Sequence, residues 1–240
     1  MIKNALQYII GLAKPEIQHI CGVPYSDKQL HRINPIPYAD SIHMNTLSSL
    51  IDYIKSGVDT FGGKMIIHVQ SPTQVAMYSA LDVERNREKV VVVQANVPEF
   101  SFNRFDNHES FVIGVQSKFV DDPATDKALL LKFAGTVEAG SVAEYGDDGI
   151  SQKATVKTGI ASKGDAIIPS PARLKPFRTF VEVDQPVSSF IFRMKDDRCG
   201  GVQCALFEAD GGAWKLDAME AIHAYLLNNL EELDNFIVIS

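Results

Sequence analysis

The sequence predicts an α+β fold with mixed, mostly antiparallel sheets, about four helices, and a C-terminal helix packed on a sheet. Segments with the two-residue period of strands outnumber those with helical spacing, and the two kinds do not alternate as they would in a doubly wound fold. The 240 residues, 45% of them apolar, are enough for a substantial core. We therefore expect one α+β unit over residues 1–240, in which residues 1–43 form a candidate helix-hairpin extension.

The N-terminal residues predict a helix followed by a hairpin. Apolar residues recur at helical spacing from Ile2 to Leu12, and Pro15 cannot continue the helical hydrogen bonds. Two short apolar groups then flank Cys21 and Gly22, a pair suited to a tight turn. Prolines further along, up to position 37, predict an extended connector after the hairpin.

The next part of the chain predicts two helices around three strands. Asn45 or Thr46 can cap a helix that ends near Gly57. Asn107 can cap a second helix, which the acidic turn at 121–123 ends. Between these helices, apolar and β-branched runs separated by turn-forming or charged residues predict strands at 65–69, 74–80 and 89–95.

Strand patterns dominate the second half. Asp217 is expected to cap a closing helix, with Glu220 three residues on. Residues 146–149 have the composition of a turn. The buried stripe of the closing helix is expected to be Met219, Ile222, Leu226 and Leu230. The predicted strands are 128–137, 152–158, 166–168, 179–183, 188–194, 203–208 and 236–240.

Charge and cysteine content narrow the class of protein. The chain has 23 basic and 30 acidic residues, which gives a net charge of −7. This charge argues against a protein that binds nucleic acid over most of its surface, but it allows a local basic patch. Three cysteines cannot form a fully paired disulfide set, and the N-terminus lacks the order of a signal peptide, so a cytoplasmic location is expected. No apolar run approaches the roughly 20 residues of a membrane span.

Short motifs do not identify an enzyme. Residues 145–148 match the carboxylate hairpin of polymerases, but their flanks are small or polar and predict an ordinary turn. Cys199 and Cys204 are separated by four residues rather than two, without a second pair, so no metal is predicted. The Gly-x-Ser-x-Gly elbow and the phosphate-binding glycine loops are absent from the sequence. We predict no catalytic residue and no cofactor, while an unrecognised enzyme stays open.

The most informative feature is an uneven charge distribution. Residues 153–178 contain six basic residues and one acidic residue, giving +5 in a chain of −7. Such a segment favours either a pocket for an anionic, phosphate-bearing ligand or self-association, although lysines that alternate along a strand also occur on plain solvated faces. An aromatic residue lies between cations at 173–178, a combination that can stack on a base and pair with phosphates. The candidate ligand-binding residues are Lys163, Arg173, Lys175, Phe177 and Arg178.

Two smaller features are a pair of arginines and the single tryptophan. Arg85 and Arg87 form a second candidate basic cluster, which Glu84 and Glu88 flank and can neutralise. Trp214, the only tryptophan, lies just before the closing helix and is expected to serve core packing rather than ligand stacking.

Several stretches together resemble a known but uncharacterised family. These stretches are 147–152, 174–183, 185–188, 190–193 and 204–212. They are similar to tailed-phage and prophage proteins with the YfdQ-like domain of unknown function. The resemblance implies a phage or prophage origin and a cytoplasmic setting in an infected or lysogenic bacterium. It implies no activity and supplies no catalytic residue.

Three functions remain open at this stage. The first is a non-enzymatic binding protein, a sponge that sequesters a nucleotide-derived immune signal and so acts against host defence. The second is a self-assembling or DNA-metabolism accessory protein, whose basic segment meets an acidic neighbour or a nucleic acid. The third is a hydrolase of nucleotide signals. The segregated charges also favour a homo-oligomer.

Overall fold

A computed structural model describes residues 2–12, 14–28, 38–83, 85–136, 142–147, 152–157, 163–167, 170–196 and 202–240. Over these ranges the protein is α+β with mostly antiparallel sheets, as the sequence predicts. The described residues contain five helices, where about four were predicted. Chain contacts divide it into two units, residues 1–39 and residues 40–240.

The first unit contains a helix and a hairpin, and both confirm the prediction. Helix α1 spans Ile2–Leu12. Strands β1 (Ile17–Ile20) and β2 (Val23–Ser26) pair antiparallel. The connecting residues Cys21 and Gly22 have φ of 53° and 81°, the left-handed pair that a two-residue hairpin turn requires.

The second unit begins with a five-stranded mixed sheet. Its strands are β3 (Ile42–Met44), β4 (Met65–Ser71), β5 (Gln74–Ser79), β6 (Lys89–Gln94) and β14 (Phe236–Ile239). Their order is β14-β4-β5-β6-β3, in which the central three strands are antiparallel and both outer strands run parallel to their neighbours. The strands predicted at 65–69, 74–80, 89–95 and 236–240 are confirmed, whereas β3 was not predicted.

Two helices pack on this sheet. Helix α2 (Leu47–Ser56) is capped by Thr46, whose Oγ1 accepts from Ser49 N at 3.2 Å, and it ends at Gly57 with φ of 62°. Helix α5 (Trp214–Leu230) buries Ile222, Leu226 and Leu230 in the same core as α2. The predicted closing helix is thus confirmed.

The predicted start of α5 is wrong by four residues, because Asp217 was predicted at the N-cap position that Ala213 occupies. The helix begins at Trp214, which leaves Asp217 in its first turn instead of at the cap. The cause is Asp210, whose carboxylate accepts from Gly212 N and whose carbonyl accepts from Ala213 N, so the preceding turn leads straight into the helix.

A four-stranded antiparallel sheet with two helices forms a second core. Helices α3 (His108–Lys118) and α4 (Lys127–Thr136) pack on one face of this sheet through Phe111, Leu130 and Phe133. The strands of the sheet are β7 (Asp106–Asn107), β11 (Ala172–Leu174), β12 (Ser188–Asp196) and β13 (Val202–Glu208). Their order is β11-β12-β13-β7.

A third sheet consists of three antiparallel strands, β8 (Val142–Asp147), β9 (Gln152–Lys157) and β10 (Lys163–Ile167). Their order is β10-β9-β8. The predicted strand at 152–158 is confirmed by β9. Gly146 and Asp147, assigned from their composition to a turn, belong to β8, and the rest of that predicted turn lies outside the described residues.

Two predicted strands are wrong. The strand predicted at 128–137 is wrong because residues 128–136 belong to α4, where Leu130, Phe133 and Ala134 recur at helical spacing on a run of good helix formers. Residues 179–183 form an irregular loop between Pro176 and Pro186, where backbone groups bond to a side chain and not to a neighbouring strand.

Candidate functional site

The loop from Lys175 to Val187 organises the candidate site. At its start, Val120 N donates to Lys175 O at 2.8 Å and Phe177 N donates to Lys118 O at 3.0 Å, which fixes the loop against the end of α3. Further along, Thr179 Oγ1 donates to Pro72 O in the turn between β4 and β5. The loop is therefore tied to both cores of the second unit.

Gln185 holds the same loop from inside. Its side chain is buried, and its Oε1 accepts from Arg178 N at 2.9 Å and from Thr179 N at 3.1 Å. Its Nε2 donates to Phe180 O at 2.9 Å and to Val183 O at 3.3 Å. One amide thus satisfies four backbone groups that no sheet or helix pairs, which fixes the direction in which residues 177 and 178 point.

A cleft of about 600 Å³ lies beside this loop. One wall is the segment from Val97 to Arg104, and the rest of the lining comes from Lys118, residues 176–178 and Trp214. Aromatic rings and cations share the lining. The aromatic members are Phe100, Phe102, Phe177 and Trp214, and the charged members are Glu99, Arg104, Lys118 and Arg178.

Arg178 is the most enclosed of these charged groups, with 6% of its side chain exposed. Its Nη1 donates to Glu208 Oε1 at 2.7 Å, and its Nη2 donates to Ser188 Oγ. The guanidinium carbon lies 4.1 Å from the centre of a Trp214 ring. Burial lowers the pKa of Arg178, and Glu208 and Asp210 partly offset this shift. Because Glu208 neutralises it, Arg178 offers the cleft a flat stacked surface more than a free charge.

Lys118 and Arg104 keep most of their donors available. Lys118 Nζ donates to Glu99 O, which uses one of its three N–H groups, and Arg104 Nη2 donates to Ser101 Oγ at 2.8 Å. Neither side chain forms an ion pair with a carboxylate of the described residues, although Glu99 itself lines the cleft. These two cations are the groups that can pair with an anion in the cleft.

The predicted ligand-binding residues do not all meet at this cleft. Phe177 and Arg178 line it. Lys175 is buried and its Nζ pairs with Asp184 Oδ1 at 2.7 Å and Asp122 Oδ2 at 3.5 Å, so its role is structural. Arg173 is exposed on β11 and does not line the cleft. Lys163 begins β10, but its side chain lies outside the described part of the chain.

The second predicted cluster lies in the exposed connection between β5 and β6. Arg85 has φ of 66°, and its N donates to Asp82 O in a tight turn. Arg87 Nη1 donates to Ser79 O at 3.3 Å. Neither arginine lines the cleft. Glu84, which was expected to neutralise this cluster, lies outside the described residues.

Sequence reasoning missed the wall at 97–104 and misplaced Trp214. That wall contains Phe100, Phe102 and Arg104, a mixture of aromatic and basic residues preceded by Pro98. This composition is the feature of the sequence that could have indicated a binding site. Trp214 was expected to pack in the core, but it is only half-buried, lines the cleft and stacks on Arg178.

Outside the cleft, the described residues include a buried thiol, Cys204. Burial raises the pKa of the Cys204 thiol to about 12, so this thiol is protonated and unreactive at neutral pH. Across the described ranges, no group of three or more His, Cys, Asp or Glu side chains is placed to hold a metal ion. No helix in these ranges has the length and hydropathy needed to cross a bilayer.

Gly114 on α3 sets the position of the Phe100 ring. A Cβ at residue 114 would lie 2.9 Å from Phe100 Cε2 and 3.2 Å from Cδ2. The ring cannot retreat easily, because its centre lies 4.8 Å from the Phe102 ring and 4.9 Å from the Phe119 ring. Gly114 therefore leaves the space in which this cleft wall sits.

We expect Gly114→Ala to destabilise the protein by about 1 kcal/mol, because overpacking costs about 1–3 kcal/mol and the gain in helix propensity returns only about 1 kcal/mol. Gly135→Ala is the matched control, since α4 leaves open space around that position. The control should stabilise by up to about 1 kcal/mol in urea unfolding. Equal stabilisation by both substitutions would contradict the role of Gly114.

The cleft combines flat aromatic surface with two available cations, so it can hold a planar group and an anionic group side by side. Protein-family models, curated proteins and solved structures give no match to this chain. The chemistry of the cleft is therefore the basis for a function.

Proposed function

We propose that the protein is a non-enzymatic binding protein whose cleft takes a small ligand with an aromatic ring and an anionic group, such as a nucleotide. The observation that carries this proposal is the convergence of Phe177, Trp214, Lys118 and Arg104 on one cleft. A volume of about 600 Å³ lies within the range of small-molecule sites, which is about 300–1,000 Å³.

The two halves of such a ligand meet different parts of the lining. Trp214, which stacks on the buried Arg178, offers a fixed plane for a base, and Phe177 adds apolar surface nearby. The free donors of Lys118 and Arg104 suit a phosphate, because charge-assisted hydrogen bonds to phosphate are among the strongest in proteins. No step of bond making or breaking is needed for this role.

The biological setting comes from the family resemblance. In a phage or prophage, a protein that holds a nucleotide-derived signal without changing it would keep that signal from host antiviral effectors. Capture needs only affinity and abundance. In its specific form, the proposal is that the protein is a sponge for a nucleotide-derived immune signal.

The test is to incubate the purified full-length chain with cyclic dinucleotides and with cyclic ADP-ribose isomers, remove free ligand, denature the protein and identify what is released. Intact ligand supports capture. Altered ligand would replace the proposal by a nucleotide hydrolase, and the release of nothing would remove the nucleotide class. Trp214 is the only tryptophan, so quenching of its fluorescence reports binding directly.

We expect Arg104→Gln to weaken binding by about 10- to 100-fold, because a hydrogen bond to a charged group contributes about 1.5–3 kcal/mol. Arg87→Gln removes the same charge from an exposed position away from the cleft and is the matched control. Titration of Trp214 fluorescence measures both variants. An equal loss in the two variants would indicate diffuse electrostatic attraction instead of a bond within the cleft.

A further inference from the structure

A second surface, separate from the cleft, combines aromatic rings with two cations that form no ion pair among the described residues. It lies on the four-stranded sheet, on the face away from α3 and α4. Phe190, Phe192 and Met194 of β12 belong to the core beneath those helices, as do Val202, Cys204 and Leu206 of β13. Because side chains alternate along a strand, the residues between them point to the opposite face.

The register places the opposite-face residues side by side. Ile191 pairs with Phe207, Arg193 with Ala205, and Lys195 with Gln203. Phe105, which precedes β7, adds a second ring, with its centre 5.8 Å from that of Phe207 and the two planes inclined at 71°. We name this surface the basic sheet face and define it by Phe105, Ile191, Arg193, Lys195, Gln203 and Phe207.

Arg193 and Lys195 supply the positive charge of this face. They form no ion pair with any carboxylate that the structure describes, whereas Lys127 and Arg178 each form one and Lys175 forms two. No acidic residue occupies the outward positions described on β12 and β13. Lys195 Nζ lies 4.1 Å from the centre of the Phe105 ring, so charge and aromatic surface adjoin.

We infer that the basic sheet face binds single-stranded nucleic acid. The two half-buried phenylalanine rings supply stacking surface for unpaired bases, and Arg193 and Lys195 supply partners for the phosphates between those bases. A duplex keeps its bases stacked on one another, so only its phosphates could bind to this face, through the two cations. The face should therefore prefer a single strand, and this activity goes beyond the proposed capture of a small ligand.

The experiment measures anisotropy of a labelled oligothymidylate of about 16 nucleotides on the full chain. Salt is varied between about 50 and about 200 mM. Phe207→Leu keeps apolar contact and removes the ring, and should weaken binding by about 5- to 100-fold. Lys195→Gln should weaken binding and lower the slope of log affinity against log salt by about 1. Lys195 is exposed, so the second variant keeps the fold even if the first is destabilised.

Lys132→Gln is the matched control, because it removes one exposed positive charge from α4 on the other side of the sheet. It should bind the oligonucleotide as tightly as the unchanged chain does. The inference is overturned by any of four results: no binding at the lowest salt, duplex bound as tightly as single strand, equal losses for Lys132→Gln and Lys195→Gln, or no effect of Phe207→Leu in a folded protein.

Discussion

Replacement of Gln185 with leucine is expected to lower the free energy of unfolding by about 4 kcal/mol. The amide bonds to four backbone groups in a buried loop, of which Phe180 O also accepts from Val183 N. Each of the other three costs about 1–3 kcal/mol when it is left without a partner. The apolar side chain of leucine returns only part of that loss. The same change should abolish ligand binding at the cleft, since Gln185 fixes the backbone of Arg178.

Two comparisons make the Gln185 prediction specific. Gln185→Glu keeps an oxygen that accepts from Arg178 N and Thr179 N but loses both donors, so it should also destabilise. Gln94→Ala, at an exposed position at the end of β6, should change stability by about 0.5 kcal/mol or less. Urea unfolding measures all three, and a loss below about 1 kcal/mol for Gln185→Leu would show that the loop is held by other contacts.

The second large effect is expected for Arg178→Met, which should lower the free energy of unfolding by about 2–3 kcal/mol. Removing one partner of a buried ion pair costs about 3–5 kcal/mol, because the other charge is left uncompensated. Here the cost is smaller for two reasons. Glu208 keeps about a third of its side chain in water. Arg178 Nε already has no hydrogen-bond partner among the described residues, so its removal relieves an existing cost.

Arg178→Lys separates charge from shape. Lysine keeps the positive charge beside Glu208 but cannot reach Ser188 at the same time or stack as a plane on Trp214. We expect stability between that of the unchanged chain and that of Arg178→Met, together with a changed fluorescence of Trp214. If the lysine variant matched the unchanged chain in both urea unfolding and fluorescence, the planar stack would have no measurable role.

Helix α2 can be predicted from its own residues alone. Thr46 caps it, Gly57 ends it, and its apolar residues follow helical spacing, so all the information needed lies within the segment itself. Helix α4 shows the limit. A run of apolar residues as short as 128–134 fits a buried strand as well as a helix, and only its packing against α3 and the sheet decides between them.

The candidate site was predictable only in part, for a similar reason. The basic and aromatic run at Phe177 and Arg178 is visible locally, and it does line the cleft. Arg104 and Lys118 come from much earlier in the chain, and only the fold brings them to the same cleft. Lys175 lies in the same basic and aromatic run as Arg178, but Asp122 and Asp184 neutralise its charge. These ion pairs depend on the fold, so the number of charges along the sequence does not predict them.

The parallel pairing of β14 with β4 determines when the five-stranded sheet can be completed during translation. Met65 and Ile67 in β4 form part of a core that Val238 and the last helix complete, with Ile237 paired to Ile66. A ribosome therefore releases the first strands of this sheet long before their final neighbour leaves the exit tunnel. During translation these apolar strands remain unfinished and open to aggregation, so chaperone protection of the nascent chain would matter most in that interval.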